Sequence, residues 1–155
     1  MLKVGVLGAG HLGKIHLRLL QESKKYDLVG FYDPSKDHAK NVALEFGYTS
    51  FSSIISLIEA VDVVDIVTPT LSHFECAKLS IEKGRHIFIE KPITKTVLEA
   101  EAIKTLASQY HVKGQVGHVE RFNPGFTAVK DLISNPMFIE SHRLAEFNPR
   151  GTDVP

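Results

Sequence analysis

At 155 residues, 43% hydrophobic and 23% charged, the chain is long enough for one domain with a real core, and its composition excludes collagen-like or disordered polymers. Lysine plus arginine equals aspartate plus glutamate at 18 each, so there is no basic excess to hold a nucleic-acid backbone and no acidic tail. One cysteine makes no internal disulfide, no apolar run reaches the roughly 20 residues of a bilayer span, and the start MLKVGVLGAGHLG has no charged segment leading into a cleavable apolar one, so the cytoplasm is the expected location.

KVGVLG reads as a strand ending in a glycine turn, and HLGKIHLRLLQES as a helix on which Leu12, Ile15, His16, Leu19 and Leu20 recur near helical spacing. LVGFYD is a second strand, and PSKDHAKNVALEFG a helix with Pro34 and Ser35 near its start and Gly47 just past its end. A weak strand over residues 48–50 and a short helix through SSIISLIEA lead to VDVVDIVTP, a β-branched run of buried character. A helix from about Ser72 to Lys83, stopped by Gly84, precedes the fifth strand, HIFIE. TVLEAEAIKTLASQ is a helix with Val97, Ala100, Ile103, Leu106 and Ala107 on one face, and VKGQVGH is the sixth strand. Alternating strands and helices imply an α/β fold with a parallel sheet covered on both faces, since parallel crossovers need connecting helices.

The pattern changes near residue 120. NPGFTAVKDLIS predicts a helix capped by Asn123 with Pro124 at its first position, MFIESHRLAEF a long strand, and NPRGTDVP a loop. The expected division is a dinucleotide-binding domain over 1–120 and the opening of a second domain over 121–155, with the chain reading as truncated because its last strand has no partner.

Gly8, Gly10 and Gly13 spell G-x-G-x-x-G between a predicted strand and a helix, a context that turns a weak motif into a strong one. The turn Gly8, Ala9, Gly10, His11, Leu12, Gly13 would then cradle a pyrophosphate at a helix N-terminus, with His11 facing phosphate or solvent and doing no chemistry. Asp33 closes the second strand twenty residues beyond Gly13, placed to accept hydrogen bonds from ribose hydroxyls and to repel the 2'-phosphate of NADP. NAD is the expected cofactor; Ser35 and Lys36 keep NADP as the alternative, because both can contact a phosphate.

Ligands of open α/β sheets bind beyond the carboxyl ends of the strands. The residues there are Thr68, Pro69 and Thr70, then Glu90, Lys91 and Pro92, then His118, Glu120 and Arg121. Lys91 is the candidate catalytic group: its ammonium can hydrogen-bond a substrate hydroxyl, stabilise alkoxide character as hydride leaves, or relay a proton. A solvated lysine paired with Glu90 is the alternative.

GAGHLG, the Asp-Pro at the second strand end, TPTLSHFECAKLSIEKGRHIFIEKPI and GHVERFNP together resemble the Gfo/Idh/MocA family of oxidoreductases across essentially the whole chain, the Glu-Lys-Pro triplet being the most distinctive short motif. The resemblance implies a Rossmann domain followed by an open α/β substrate domain, with Glu90 at the nicotinamide-side ribose, Lys91 reaching substrate and nicotinamide, and Thr68, Pro69 and His73 lining the cofactor channel. It also implies a cis bond between Lys91 and Pro92, against a base rate of about 5%. GHVERFNPGF and the closing ESHRLAEFNPRGTDVP look most like the branch acting on nucleotide-linked amino sugars, such as UDP-N-acetylglucosamine 3-dehydrogenases. Arg121 would bind a substrate oxygen or the cofactor amide, or simply pair with Glu120 or another acid. Members carry an aspartate and a histidine on a helix soon after this point, the histidine serving the hydroxyl proton; the expectation is a chain that binds cofactor but lacks that group, and a full-length homo-oligomer.

Eight histidines show no H-x-x-x-H or H-x-H spacing, and His73 with Cys76 makes only two ligands, so no metal is expected. Cys76 reads as a small buried residue. The function expected is the cofactor domain of an enzyme transferring hydride between NAD(H) and a hydroxyl carbon of a sugar or nucleotide sugar. The alternative is a non-catalytic NAD-binding module whose exposed strand recruits a partner. A Rossmann-type methyltransferase would leave Glu90, Lys91 and Pro92 without a role.

Overall fold

A computed structural model of the chain describes residues 1–142 and 144. It divides into two compact units, Met1–Gly117 and a second beginning at His118. In the first unit the order is β1 (Leu2–Leu7), α1 (His11–Glu22), β2 (Tyr26–Tyr32), α2 (Lys36–Phe46), α3 (Ile54–Ala60), β3 (Val63–Ile66), α4 (His73–Glu82), β4 (His86–Ile89), α5 (Val97–Gln109) and β5 (Gly114–Val116). The five strands form one sheet in the order β2-β1-β3-β4-β5, and every pairing is parallel.

Local chemistry sets the helix ends. The Ser35 hydroxyl accepts from the His38 backbone N–H to start α2, and Gly47 ends it in the left-handed region at φ 73°. Ser53 starts α3 in the same way, and Thr96 with Glu99 forms a reciprocal capping box on α5. Strand alternation then sorts two cores onto the two faces of the sheet. Leu7, Val64, Ile66, Ile87 and Ile89 pack with residues of α3, α4 and α5, whereas Val6 and Phe31 pack with Leu17, Ala39 and Val42 of α1 and α2.

Three expectations are corrected. The weak strand at residues 48–50 is reduced to a single parallel bridge between Phe31 and Ser50, because Phe51 already turns toward the cap of α3 after donating to the Phe31 carbonyl. On α1 the buried residues are Gly13 and Leu17, while Leu12 and Leu19 are exposed. Gly13 must face the turn it packs on, and Leu17, one turn further, follows it inward. On α5, Ile103 is buried but Val97 is 75% exposed, so contact with the core begins after the first turn.

In the second unit, Asn123 accepts from the Gly125 N–H and Pro124 opens α6 (Pro124–Val129), which tightens into a 3-10 turn at Lys130–Leu132. The long strand expected after it has no β pairing over residues 137–142, where the described residues of this unit supply no neighbouring strand; apart from Leu144, the rest of that segment and the loop beyond lie outside the described residues. Among the described residues no helix is long and apolar enough to cross a membrane.

Candidate functional site: a dinucleotide cradle and a charged rim

The glycine turn is assembled by close backbone approaches. Gly8 sits at φ 92°, donates its N–H to the Tyr32 carbonyl at 2.9 Å, and lies so near β3 that a side chain's first carbon would come 2.8 Å from the Val67 carbonyl oxygen. A methyl on Gly13 would run into the Gly8 carbonyl oxygen. Gly10 is different, because nothing stands within 4 Å of where its Cβ would be. Gly10 is also the N-cap of α1 and contributes no side-chain cap, which leaves first-turn N–H groups for an outside acceptor. An open face over uncapped amides fits a pyrophosphate.

Asp33, at the end of β2, reaches back to this turn. Its Oδ2 accepts from the Ala9 N–H and its Oδ1 from the Ser35 N–H, both at 3.0 Å. The Ala9 carbonyl in turn accepts from His38 Nε2 at 2.8 Å. The Ala9 peptide groups are thus held from both sides, by an acid the sequence flags and by a histidine it does not. Only the fold brings position 38, on the first turn of a different helix, to the glycine loop. Asp33 also borders an open groove of about 670 Å³ lined by Pro34, Lys36, Lys40, Phe51 and Ser52. Each carboxylate oxygen keeps a lone pair for a ribose hydroxyl. The Ser35 hydroxyl, one of the two groups that keep NADP open, is engaged as the α2 cap, while Lys36 borders the groove.

Further along the rim, His73 is 1% exposed and presents Nε2 to the Thr68 carbonyl (2.8 Å) and Nδ1 to the Pro92 carbonyl (3.0 Å). It bridges the segments leaving β3 and β4, and Pro69, next to Thr68 in the first of them, is exposed. The Lys91–Pro92 bond is cis. Burial pushes the Cys76 thiol up, only partly offset by Thr68, which keeps it a protonated core side chain.

Glu90 follows β4, and its N–H donates to the Ile66 carbonyl at 3.0 Å. Its carboxylate turns inward: Oε2 accepts from the Lys91 backbone N–H at 3.0 Å, and Oε1 lies 3.4 Å from His16 Nε2. Gly117 makes room for it, since a Cβ there would stand 2.7 Å from Oε1. The Lys91 side chain is exposed and, among the described residues, makes no ion pair, so the Glu90–Lys91 side-chain pair weighed above is not the arrangement found. His118, Glu120 and Arg121 belong to the second unit, the latter two within a 3-10 turn over Val119–Phe122, and all three are exposed.

The sequence reading also missed a buried polar cluster. On β3, Val64 and Ile66 face one core while Asp65 faces α1, where His16 Nδ1 meets Asp65 Oδ2 at 2.9 Å. Helical periodicity places His16 on its helix, but its partners lie on two other elements, far away in the chain. Burial lowers the His16 pKa, yet the hydrogen bond and charge of Asp65, with Glu90 beside it, outweigh burial and raise it overall. Burial raises the Asp65 pKa, and the hydrogen bond from His16 opposes that only in part.

Comparison with known proteins follows the same lines. The model of an oxidoreductase family with an NAD-binding Rossmann fold, Gfo/Idh/MocA, matches residues 2–118. A UDP-N-acetylglucosamine 3-dehydrogenase of Acidithiobacillus ferrooxidans is 35% identical over 99% of this chain and 49% of its own length, and the solved structure of that enzyme superposes with a TM-score of 0.90 over 99% of this chain and 50% of the other. A glucose-6-phosphate 3-dehydrogenase of Bacillus subtilis is 31% identical over 87% of this chain and 39% of its own. The chain therefore spans about half the length, or less, of these relatives. A parallel Rossmann sheet, a glycine turn fastened to the acid of β2 and the family match together identify this chain as a member of the Gfo/Idh/MocA oxidoreductases, carrying their NAD-binding domain.

Proposed function

We propose that this chain is the cofactor half of an NAD-dependent dehydrogenase that moves hydride between the nicotinamide and a hydroxyl-bearing carbon of a sugar or nucleotide sugar. The observation that carries the reading is Lys91: an exposed ammonium without an ion pair among the described residues, next to Glu90, on the carboxyl-end rim that also holds the glycine turn and Asp33. The sugar substrate class rests on the relatives, whose names are those of dehydrogenases of UDP-N-acetylglucosamine and glucose 6-phosphate.

In this reading Gly8, Ala9, Gly10, His11, Leu12 and Gly13 hold the pyrophosphate, Asp33 the adenosine ribose, and Glu90 the nicotinamide-side ribose. Thr68, Pro69, His73 and Pro92 shape the channel between them. Bound NAD supplies the hydride acceptor. Lys91 donates a hydrogen bond to the substrate oxygen and stabilises the negative charge that develops there. Arg121 serves a substrate oxygen from residues 121–155, read as the opening of a substrate domain after a cofactor domain over 1–120.

The test is a titration of the chain with NADH and NADPH, and a screen of sugars and nucleotide sugars, monitored by NADH absorbance, on the full-length protein. Binding of NADH in preference to NADPH by the chain, inactive by itself, and turnover of a sugar substrate by the full-length protein are expected. Absence of NADH binding would overturn the reading.

A further inference from the structure

The Asp65–His16–Glu90 cluster joins three elements just beneath the rim. Asp65 comes from the middle of β3, His16 from the second turn of α1, and Glu90 from the residue after β4. All three are largely shielded, with side chains 6%, 17% and 10% exposed in that order. Among the described residues Asp65 Oδ1 is buried with no hydrogen-bond partner, so the charge of this acid depends on the contact of Oδ2 with His16. The Phe88 ring also lies near the imidazole, 6.0 Å away between centroids and tilted by 59°. The charged groups acting on His16 are therefore Asp65, on the face of β3 that α1 covers, and Glu90, at the rim.

Both ring nitrogens of His16 face carboxylate oxygens, which only accept. A neutral imidazole donates from one nitrogen, and the 2.9 Å contact with Asp65 is the better placed. Its bare nitrogen would then point a lone pair at Glu90 Oε1, with a second carboxylate close behind. A doubly protonated ring serves both acids at once and holds the Glu90 carboxylate against Gly117, with Oε2 on the Lys91 N–H.

We propose that His16 is a positioning residue for Glu90: doubly protonated, it fastens Glu90 to Asp65 in the orientation that accepts the cofactor's ribose hydroxyls, and cofactor affinity falls when that second proton is lost. The inference rests on Glu90 serving the nicotinamide-side ribose. It adds a role for two residues, His16 and Asp65, that stand behind Glu90 and would act on the cofactor through it. The His16 pKa is raised above its ordinary 6.5, so affinity declines as pH climbs from there through the folded-state value. Linkage makes the effect reciprocal: if the protonated ring favours cofactor, bound cofactor must hold the proton to higher pH.

The experiment is NADH titration of the 155-residue chain across pH, with His16→Gln and Asp65→Asn alongside, and ¹⁵N NMR of the His16 ring with and without NADH. Expected for the unaltered chain is a loss of affinity of about tenfold as pH rises from 6.5 through the raised His16 pKa, and a His16 titration that NADH moves to higher pH. His16→Gln, whose amide has no titratable proton, should give a flat profile at the weak level. Asp65→Asn should shift the step to lower pH. A flat profile for the unaltered chain, or the same step in His16→Gln, overturns the proposal. If His16→Gln does not fold, a His16 titration that NADH leaves unchanged overturns it instead. Failure to bind NADH at every pH overturns the cofactor reading; the ring's ¹⁵N shifts in the cofactor-free chain still show whether both nitrogens carry protons, and a ring with one proton throughout sinks the His16 link by itself.

Discussion

Asp33 Oδ2 accepts the Ala9 backbone N–H at 3.0 Å, so the acid at the end of β2 is fastened to the turn at the end of β1 before any cofactor arrives. The carboxylate therefore has two duties, orienting itself through the Ala9 and Ser35 amides and offering its remaining lone pairs to ribose hydroxyls. Asp33→Ala removes both. Loss of charge-assisted hydrogen bonds of this kind lowers NADH affinity by about 10- to 100-fold. NADPH affinity falls less, because the repulsion of a 2'-phosphate disappears at the same time. Paired titrations check this: an unchanged ratio of NADH to NADPH affinity would remove Asp33 from cofactor selection. The melting temperature should drop as well, since the Ala9 N–H is left without its partner in a residue that is fully buried.

The glycine turn separates a folding role from a binding role. Gly13→Ala forces a methyl into the Gly8 carbonyl, a backbone group that cannot move aside without separating α1 from β1. Overpacking of this kind costs about 1–3 kcal/mol and should appear in urea unfolding. Gly10→Ala meets nothing within 4 Å and its φ of −64° suits alanine, so stability should hold while NADH affinity falls, because the methyl projects into the open face over the α1 amides. Equal losses of stability in the two variants would contradict this division of labour.

What the sequence discloses and what it withholds follow from the range of the interactions involved. Ser35, Gly47 and Asn123 were readable because a cap acts within a few residues of itself. Gly8, Gly10, Gly13 and Asp33 were readable because the turn and the acid that serves it recur at a fixed interval. The buried face of α1 was not, because the contact that orients it, Gly13 on Gly8, outweighs the periodicity of exposed leucines. Nor were the partners of His38 and His16, which reach Ala9, Asp65 and Glu90 through register and helix placement and leave no local trace.

The buried pair also sets how stability depends on pH. His16 has a folded-state pKa raised above its ordinary 6.5, so its contribution is fully present below 6.5 and is lost as pH rises through the higher folded value. Asp65 is raised above 3.8, the reverse of the usual salt-bridged acid; the folded chain keeps a proton that the unfolded chain gives up, and stability again declines as pH climbs from 3.8 through the raised value. Both groups work in one direction, toward lower stability with rising pH. Urea unfolding over that range should show the decline, and Asp65→Asn should weaken its upper part by taking from His16 its strongest stabilising partner. Stability that rises steadily through neutrality would contradict the assignment.

Glu90 and Lys91 are neighbours with their side chains turned apart, the carboxylate inward to His16 and the Lys91 backbone N–H, the ammonium outward. Substitution should separate their roles. Glu90→Gln keeps the shape but gives up the charge that accepts ribose hydroxyls, and it should weaken NADH binding. Lys91→Met keeps much of the stem's length and removes the charge, leaving NADH affinity within about threefold while hydride transfer to an accepted sugar by the full-length protein falls by about 10²- to 10⁴-fold, the range for a lost proton donor or charge stabiliser. Lys91→Arg should recover little, because a planar guanidinium cannot place a compact charge at the same point. Single-turnover rates with saturating cofactor distinguish the cases: a Lys91→Met chain that binds NADH poorly but transfers hydride normally once loaded would make the lysine a cofactor ligand and leave the reacting oxygen to another group.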